Sequence, residues 1–239
     1  MAYEKVGQKE MSNKLNKKIM KFHNAGKGYD AVILTCGPSL NNYTEEQILS
    51  YCSNKVVLCV KQTIDIVPNL KSYFHFFNKS HMPSDGKYKY TQDPLLSIGS
   101  DSVTSQGLPK HDVFTKIGKM NSMKNSVCGG VKLDPYRYSV QKDKPCGPGI
   151  MFETVFFFAQ HLGVRSVTMI GWDGYSKGCK KHNHFYETKQ ASRCTFIKEH
   201  NEAAVPGSRH IYEWLKTHNC KLQIVGESHM HKDIPRIEI

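Results

Sequence analysis

Cys36-Gly37-Pro38-Ser39 follows a strand-like run from Ala31 to Thr35, and Gly171-Trp172-Asp173 follows another from Val164 to Ile170. Each run reads as a buried strand that stops at a turn of glycine and polar residues. Gly37 lets the backbone approach a ligand closely. Ser39, at a helix start, could cap the helix or bond a phosphate there. Asp173 could accept hydrogen bonds from ribose hydroxyls. Trp172 either stacks on a base or packs in the core. The plain alternative for Pro38 and Ser39 is that they only turn the chain. Taken together, these residue types suit a nucleotide or nucleotide-sugar site.

Other chemistry-bearing residues also follow apolar segments. Lys61-Gln62-Thr63, Asn78-Lys79-Ser80 and Glu227-Ser228 each stand after a strand-like run. Lys61 is either a ligand contact at a strand end or a solvated charge. Cys179, His182 and His184 have a Cys-x-x-His-x-His spacing that suits zinc, but no fourth ligand is evident. Twelve histidines occur. Of these, His200 and His210 flank or enter a late amphipathic segment; His210 stands beside Ile211, where packing is the simpler role. His229 and His231 read as exposed tail residues.

Positioning these groups requires an alternation of strands and helices. Strands are expected over residues 31–35, 55–60, 72–77, 113–117, 164–170 and 221–225. Thr44 with Gln47 three residues later forms a capping-box pattern, so a helix runs to about Tyr51. Asp65 to Leu70 reads as a short helical turn ended by Pro68. Gly147-Pro148-Gly149 introduces an apolar helix from Ile150 to Leu162, ended by Gly163. Residues 208–218 form an amphipathic helix with Ile211, Trp214 and Leu215 inward. The alternation predicts an α/β, Rossmann-like, doubly wound and mostly parallel sheet with helices on both faces. In such a sheet, ligands bind outside the carboxyl ends of the strands, where the polar turns converge.

Residues 1–28 read as an N-terminal helical appendage, with Met11, Leu15, Ile19 and Phe22 near one face of residues 9–24. Residues 29–239 read as a single domain. Its stretch of about 81–146, rich in Ser, Gly, Lys, Asp and Pro, is expected to be an irregular insert or lid over the crevice.

The chain has 239 residues, a net charge of +12 and eight cysteines. No run of eighteen apolar residues suggests a transmembrane helix, and no apolar segment follows the N-terminal lysines as in a secretory signal. Reduced thiols and a cytoplasmic location are therefore expected, with Cys59 a buried thiol inside a strand. The scattered positive charge suits an anionic ligand. No zinc-finger or RNA-binding signature accompanies it, so nucleic acid is not the expected partner.

In order and spacing, these motifs resemble the bacterial sialyltransferases of glycosyltransferase family 42 and the related motility-associated factor glycosyltransferases. The matching segments are Gly37-Pro38-Ser39-Leu40, the block from Gly149 through Leu162-Gly163 to Gly171-Trp172-Asp173, and His184-Phe185-Tyr186 running into Glu187-Thr188-Lys189-Gln190. The resemblance covers most of residues 30–225. It implies metal-independent transfer of a nonulosonic acid, such as sialic acid, from a CMP-sugar donor to a glycan acceptor, with no cofactor beyond the donor. It further implies that Asn78 binds the nucleotide, that Asp173 contacts the ribose and that backbone groups of Gly147, Pro148 and Gly149 meet cytosine. Tyr175 and His184 would face the donor phosphate. His200, placed before the late helix, would be the general base, a role its ordinary pKa suits.

Three positions depart from the family pattern. Cys36 stands where the family has Asn, Lys61-Gln62 stands for Asn-Gln, and His184 replaces a tyrosine. The alternatives are an ATP-dependent pterin pyrophosphokinase-like enzyme of the same fold group and a non-catalytic nucleotide-sugar or nucleic-acid binding module. Peripheral membrane contact through residues 9–24 and a homo-oligomeric state remain open partners.

Overall fold

The computed structural model describes residues 19–77, 88–99, 113–114, 151–174, 185 and 195–239; the side chains of 113–114, 152–153 and 195–203 fall outside that description. Its frame is an eight-stranded sheet in which every pairing is parallel. The strands are β1 (Asp30–Leu34), β2 (Val56–Val60), β3 (Phe74–Phe77), β4 (Leu96–Gly99), β5 (Val113–Phe114), β6 (Ser166–Ile170), β7 (Lys221–Val225) and β8 (Arg236–Ile237). Their order across the sheet is β5-β4-β3-β2-β1-β6-β7-β8.

The strands nearest the centre are apolar almost throughout, because both faces of a parallel sheet are covered. In β1, Ala31, Val32, Ile33 and Leu34 are all fully buried. Ile33 pairs with Leu58 on one side and Met169 on the other. One face of the sheet carries Ala31, Ile33, Leu58, Val60, Phe74, Phe76, Val167, Met169 and Ile224. Against it pack Phe156 to Ala159 of α2 (Phe156–His161) and Ile211, Trp214 and Leu215 of α3 (Thr195–Thr217). The opposite face carries Val32, Leu34, Val57 and Cys59, covered by Ile48 and Cys52 of α1 (Glu45–Cys52). The fold is thus α/β, Rossmann-like and doubly wound.

Several local expectations hold. Thr44 and Gln47 form the reciprocal cap of α1: the Gln47 amide N–H donates to Thr44 Oγ1, and the Thr44 N–H to Gln47 Oε1. Gly163, at φ +72, ends the turn after α2. Ile19 is fully buried, and Phe22 packs edge-on against Phe74 at 5.1 Å; Met11 and Leu15 lie outside the described residues. Cys36, Cys52, Cys59 and Cys220 are buried free thiols.

Elsewhere the structure departs from the sequence reading. Leu96–Gly99 is a strand inside the stretch expected to be irregular, its one polar side chain, Ser97, buried at 3% exposure. The tail is not free: Met230 and Ile234 are buried, and Arg236–Ile237 adds a strand beside β7. His229 is exposed as expected, whereas His231 is half-buried. The late helix begins at Thr195 rather than 208 and passes through Pro206. His200 therefore lies within it, not before it. His210, expected to pack, is exposed. The segment before α2 winds as a π-helical stretch, Met151–Val155. The helical turn after β2 is a 3-10 turn at Lys61–Asp65, earlier than residues 65–70.

Candidate functional site

Because all strands run the same way, the turns after β1, β2, β6 and β7 lie along one edge. From β1 the chain crosses to β2 on one side, whereas β6 lies on the other side of β1 and leads on to β7. The β1–β6 junction is therefore the switch point of the sheet, where successive connections diverge and a crevice opens.

The two turns at that junction are locked together. Pairing continues past the strand ends: the Thr35 N–H donates to the Ile170 carbonyl at 2.8 Å, and the Gly37 N–H to the Gly171 carbonyl at 2.8 Å. A Cβ on Gly37 would stand 2.2 Å from the Gly171 oxygen and 2.6 Å from Asp173 Oδ2. Gly171, at φ +78, would place a Cβ 2.4 Å from the Thr35 oxygen. Both glycines are thus required by the approach of one turn to the other.

Asp173 reaches across this junction. Its Oδ2 accepts the Ser39 N–H at 2.7 Å, and its Oδ1 accepts the Ser39 hydroxyl. Ser39 sits in the 3-10 turn Pro38–Asn42, which has no side-chain cap. So the Ser39 side chain caps no helix, and a phosphate placed there would meet the Asp173 carboxylate. The unit suits hydroxyl groups instead, because a carboxylate has about four acceptor positions and Ser39 uses two. Burial pushes the Asp173 carboxyl above its ordinary value, opposed by the Ser39 bonds and the charge of His229. The β6 turn is closed from behind by the tail. The His229 N–H donates to the Asp173 carbonyl at 2.6 Å, and the Ser228 hydroxyl to the Trp172 carbonyl at 2.6 Å.

Beside this junction, Cys36 joins β1 to the turn after β2. Its thiol donates to the Val60 carbonyl at 3.1 Å, and its sulfur faces the backbone N–H groups of Gln62 and Thr63. Burial raises this thiol to about 12, so it is no nucleophile at neutral pH. Lys61 begins the β2 turn in the left-handed region, at φ 55. His75 of β3 lies beneath it, with Nε2 2.8 Å from the Lys61 carbonyl and Nδ1 2.8 Å from the Tyr90 hydroxyl.

The structure thus gathers Cys36, Gly37, Pro38, Ser39, Lys61, Gln62, Gly171 and Asp173 at one edge. Trp172 shares their turn, but its side chain points away, 6% exposed and 5.2 Å from the Phe156 ring, so it is a core residue. Asn78, Gly147, Pro148, Gly149, Tyr175, Cys179, His182 and His184 lie outside the described residues. The backbone of His200 is in α3, its side chain outside the description. Among the described residues, no three His, Cys, Asp or Glu side chains stand together as a metal site.

Three contributors were given no role at the site in the sequence reading. Tyr43 places its hydroxyl over Gly226, and burial, Glu238 and Asp173 raise its pKa. Its position just before the capping box could have marked it. Phe185 donates its N–H to the Cys36 carbonyl at 2.9 Å and accepts from Asn41 Nδ2 at 3.3 Å, which ties its segment to the β1 turn. His75 carried no signal beyond its place in an aromatic strand.

No family profile and no curated protein matches the chain. Among solved structures, it is similar to the MAf glycosyltransferase from Magnetospirillum magneticum AMB-1, with 11% identity and a TM-score of 0.48. The match covers 95% of this chain and 38% of that one, so the chain spans less than half of that protein's length. Likeness at this level assigns no residue a role, since one fold hosts many chemistries. No helix among the described residues is long and apolar enough to cross a membrane.

Proposed function

We propose that the chain is a glycosyltransferase that binds a nucleotide-sugar donor at the β1–β6 switch point. The observation that carries this reading is the Ser39–Asp173 pair, a partly buried carboxylate oriented at the crevice edge by two hydrogen bonds from the facing turn. Such a fixed acceptor suits ribose hydroxyls. In the sialyltransferase-like form of the reading, the donor is a CMP-activated nonulosonic acid and the acceptor a glycan hydroxyl. His200 takes the acceptor proton as general base. Hydrogen-bond donors, with Tyr175 and His184 among them, stabilise the departing nucleotide phosphate, and no metal takes part.

A thermal-shift series with CMP, CDP, UDP, GDP, ATP and Mg²⁺-ATP tests the donor class, because a ligand that binds only the folded state raises apparent stability. CMP or CDP, without metal, is expected to give the largest shift. A shift with Mg²⁺-ATP alone would replace this reading with the pyrophosphokinase-like one, and no shift with any of them would leave the crevice without a nucleotide. His200→Ala is expected to abolish transfer from a CMP-sugar while CMP affinity stays nearly unchanged. Retained turnover would remove His200 as the base.

A further inference from the structure

Lys61 stands out among the described residues. Four non-glycine residues there have positive φ, and the other three, Asn24, Asn54 and Asn219, are asparagines. Asparagine visits the left-handed region readily; lysine does so only where its surroundings hold it. The Lys61 carbonyl can only accept, so His75 Nε2 carries a hydrogen and donates to it. His75 Nδ1 lies 2.8 Å from the Tyr90 hydroxyl, and the Ser97 hydroxyl lies 3.2 Å from the Tyr90 oxygen. The His75 ring is fully buried, stacked on Phe77 at 5.6 Å and edge-on to Tyr88 at 4.6 Å.

On the other side, the same turn wraps the Cys36 sulfur, and the Val60 N–H donates to Thr63 Oγ1 at 2.9 Å. Lys61 directly follows β2, which pairs with β1 in parallel, so it stands at the same carboxyl edge as Ser39 and Asp173. The neighbouring β1 turn offers a carboxylate at Ser39, which repels phosphate. The β2 turn offers a lysine whose backbone is held in place.

From this geometry we infer that Lys61 is a further phosphate-binding residue of the crevice and that His75 is its positioning residue, an inference that rests on the nucleotide-binding reading above. The nucleotide lies with its ribose at Asp173 and its phosphate at the Lys61 ammonium.

Calorimetric titration with cytidine and with CMP separates the phosphate contribution from that of the nucleoside. In the wild-type protein, CMP is expected to bind roughly ten- to a hundredfold more tightly than cytidine, as suits a charge-assisted contact. Lys61→Gly should lower that ratio severalfold and leave cytidine affinity within about twofold. Glycine adopts this φ without penalty, so the same variant should melt roughly 2–4 °C higher. His75→Gln keeps an N–H within reach of the Lys61 carbonyl and should keep the ratio, whereas His75→Met should lower it. If His75→Met does not fold, Lys61→Gly and the Gln variant carry the test. A ratio unchanged in Lys61→Gly would overturn the inference, as would a wild-type ratio near one while cytidine still binds. Failure of the wild type to bind either compound would overturn the nucleotide reading itself.

Discussion

Strands β1 and β6 carry a carboxylate at each end of their pairing, and the two ends behave oppositely. At the amino edge, Asp30 takes both guanidinium bonds of Arg165 at 2.8 Å and the Ser166 hydroxyl at 2.6 Å. Those bonds hold its carboxyl well below the usual carboxylate range. At the carboxyl edge, no cation among the described residues is bonded to Asp173; two donors from Ser39 meet it, and burial pushes its pKa up. Asp30 has its charge matched by protein and open to solvent. Asp173 has its charge set in place by two donors of one serine. The same strand pair therefore holds a cation-paired carboxylate at one end and a serine-bound one at the other.

The largest expected effect comes from the glycines at the two ends. Gly171→Ala would need a positive φ and would drive a methyl group to 2.4 Å from a backbone oxygen. Strain and overpacking together should cost at least about 3 kcal/mol. Gly28, just before β1, also has positive φ, at +84, but an added methyl there meets nothing within 4 Å. Gly28→Ala should cost only about 1–2 kcal/mol, the left-handed penalty alone. Urea unfolding of both variants checks the contrast. Equal losses would mean that the two turns at the crevice are not locked as described.

Next in size is the pH response of the two carboxylates. Asp173 has a folded pKa above its ordinary 3.8, so the folded protein holds that proton more tightly. Its stabilising contribution is full below pH 3.8 and is lost as pH rises through the folded value. Asp30 has a folded pKa below 3.8, so its contribution is full above 3.8 and is lost as pH falls. At pH 7, Asp173→Asn should therefore unfold no more easily than wild type, yet bind nucleotide roughly tenfold or more weakly. Asp30→Asn should leave nucleotide affinity unchanged and lose its small stability deficit on acidification. Denaturation curves from pH 3 to 7 give the slopes. Slopes of the same sign would erase the distinction between the ends.

Much of this frame was legible in the sequence because burial on both sheet faces leaves continuous apolar runs, as in Ala31 to Leu34 and Val56 to Val60. The α1 cap was legible because its chemistry is local to Thr44 and Gln47. β4 was not, since buried Ser97 resembles loop sequence until Tyr90 is placed beside it. The first half of α3 was hidden by Pro206-Gly207, which reads as a helix breaker, although the helix continues through it. For the site, residue types marked Ser39 and Asp173 but not their bond to each other. That bond depends on parallel register, which brings residues 134 positions apart into contact. His75 was illegible for the same reason: its partners belong to the turn after β2 and the approach to β4.

The smallest expected difference compares single polar anchors at the two ends. At the carboxyl edge, Ser228 donates to the Trp172 carbonyl and accepts the Met230 N–H at 3.2 Å. Ser228→Ala removes both bonds from a partly buried turn and should cost about 1 kcal/mol, independent of salt. Arg165 at the amino edge leaves 65% of its side chain in solvent. Solvent and counterions screen such a pair, so Arg165→Ala should cost less than Ser228→Ala, and the difference should widen at high salt. Unfolding measured at low and high ionic strength decides between them. An Arg165 variant that loses more than the Ser228 variant under both conditions would place the tighter closure at the amino edge, and the carboxyl-edge turns would then have the freedom to separate.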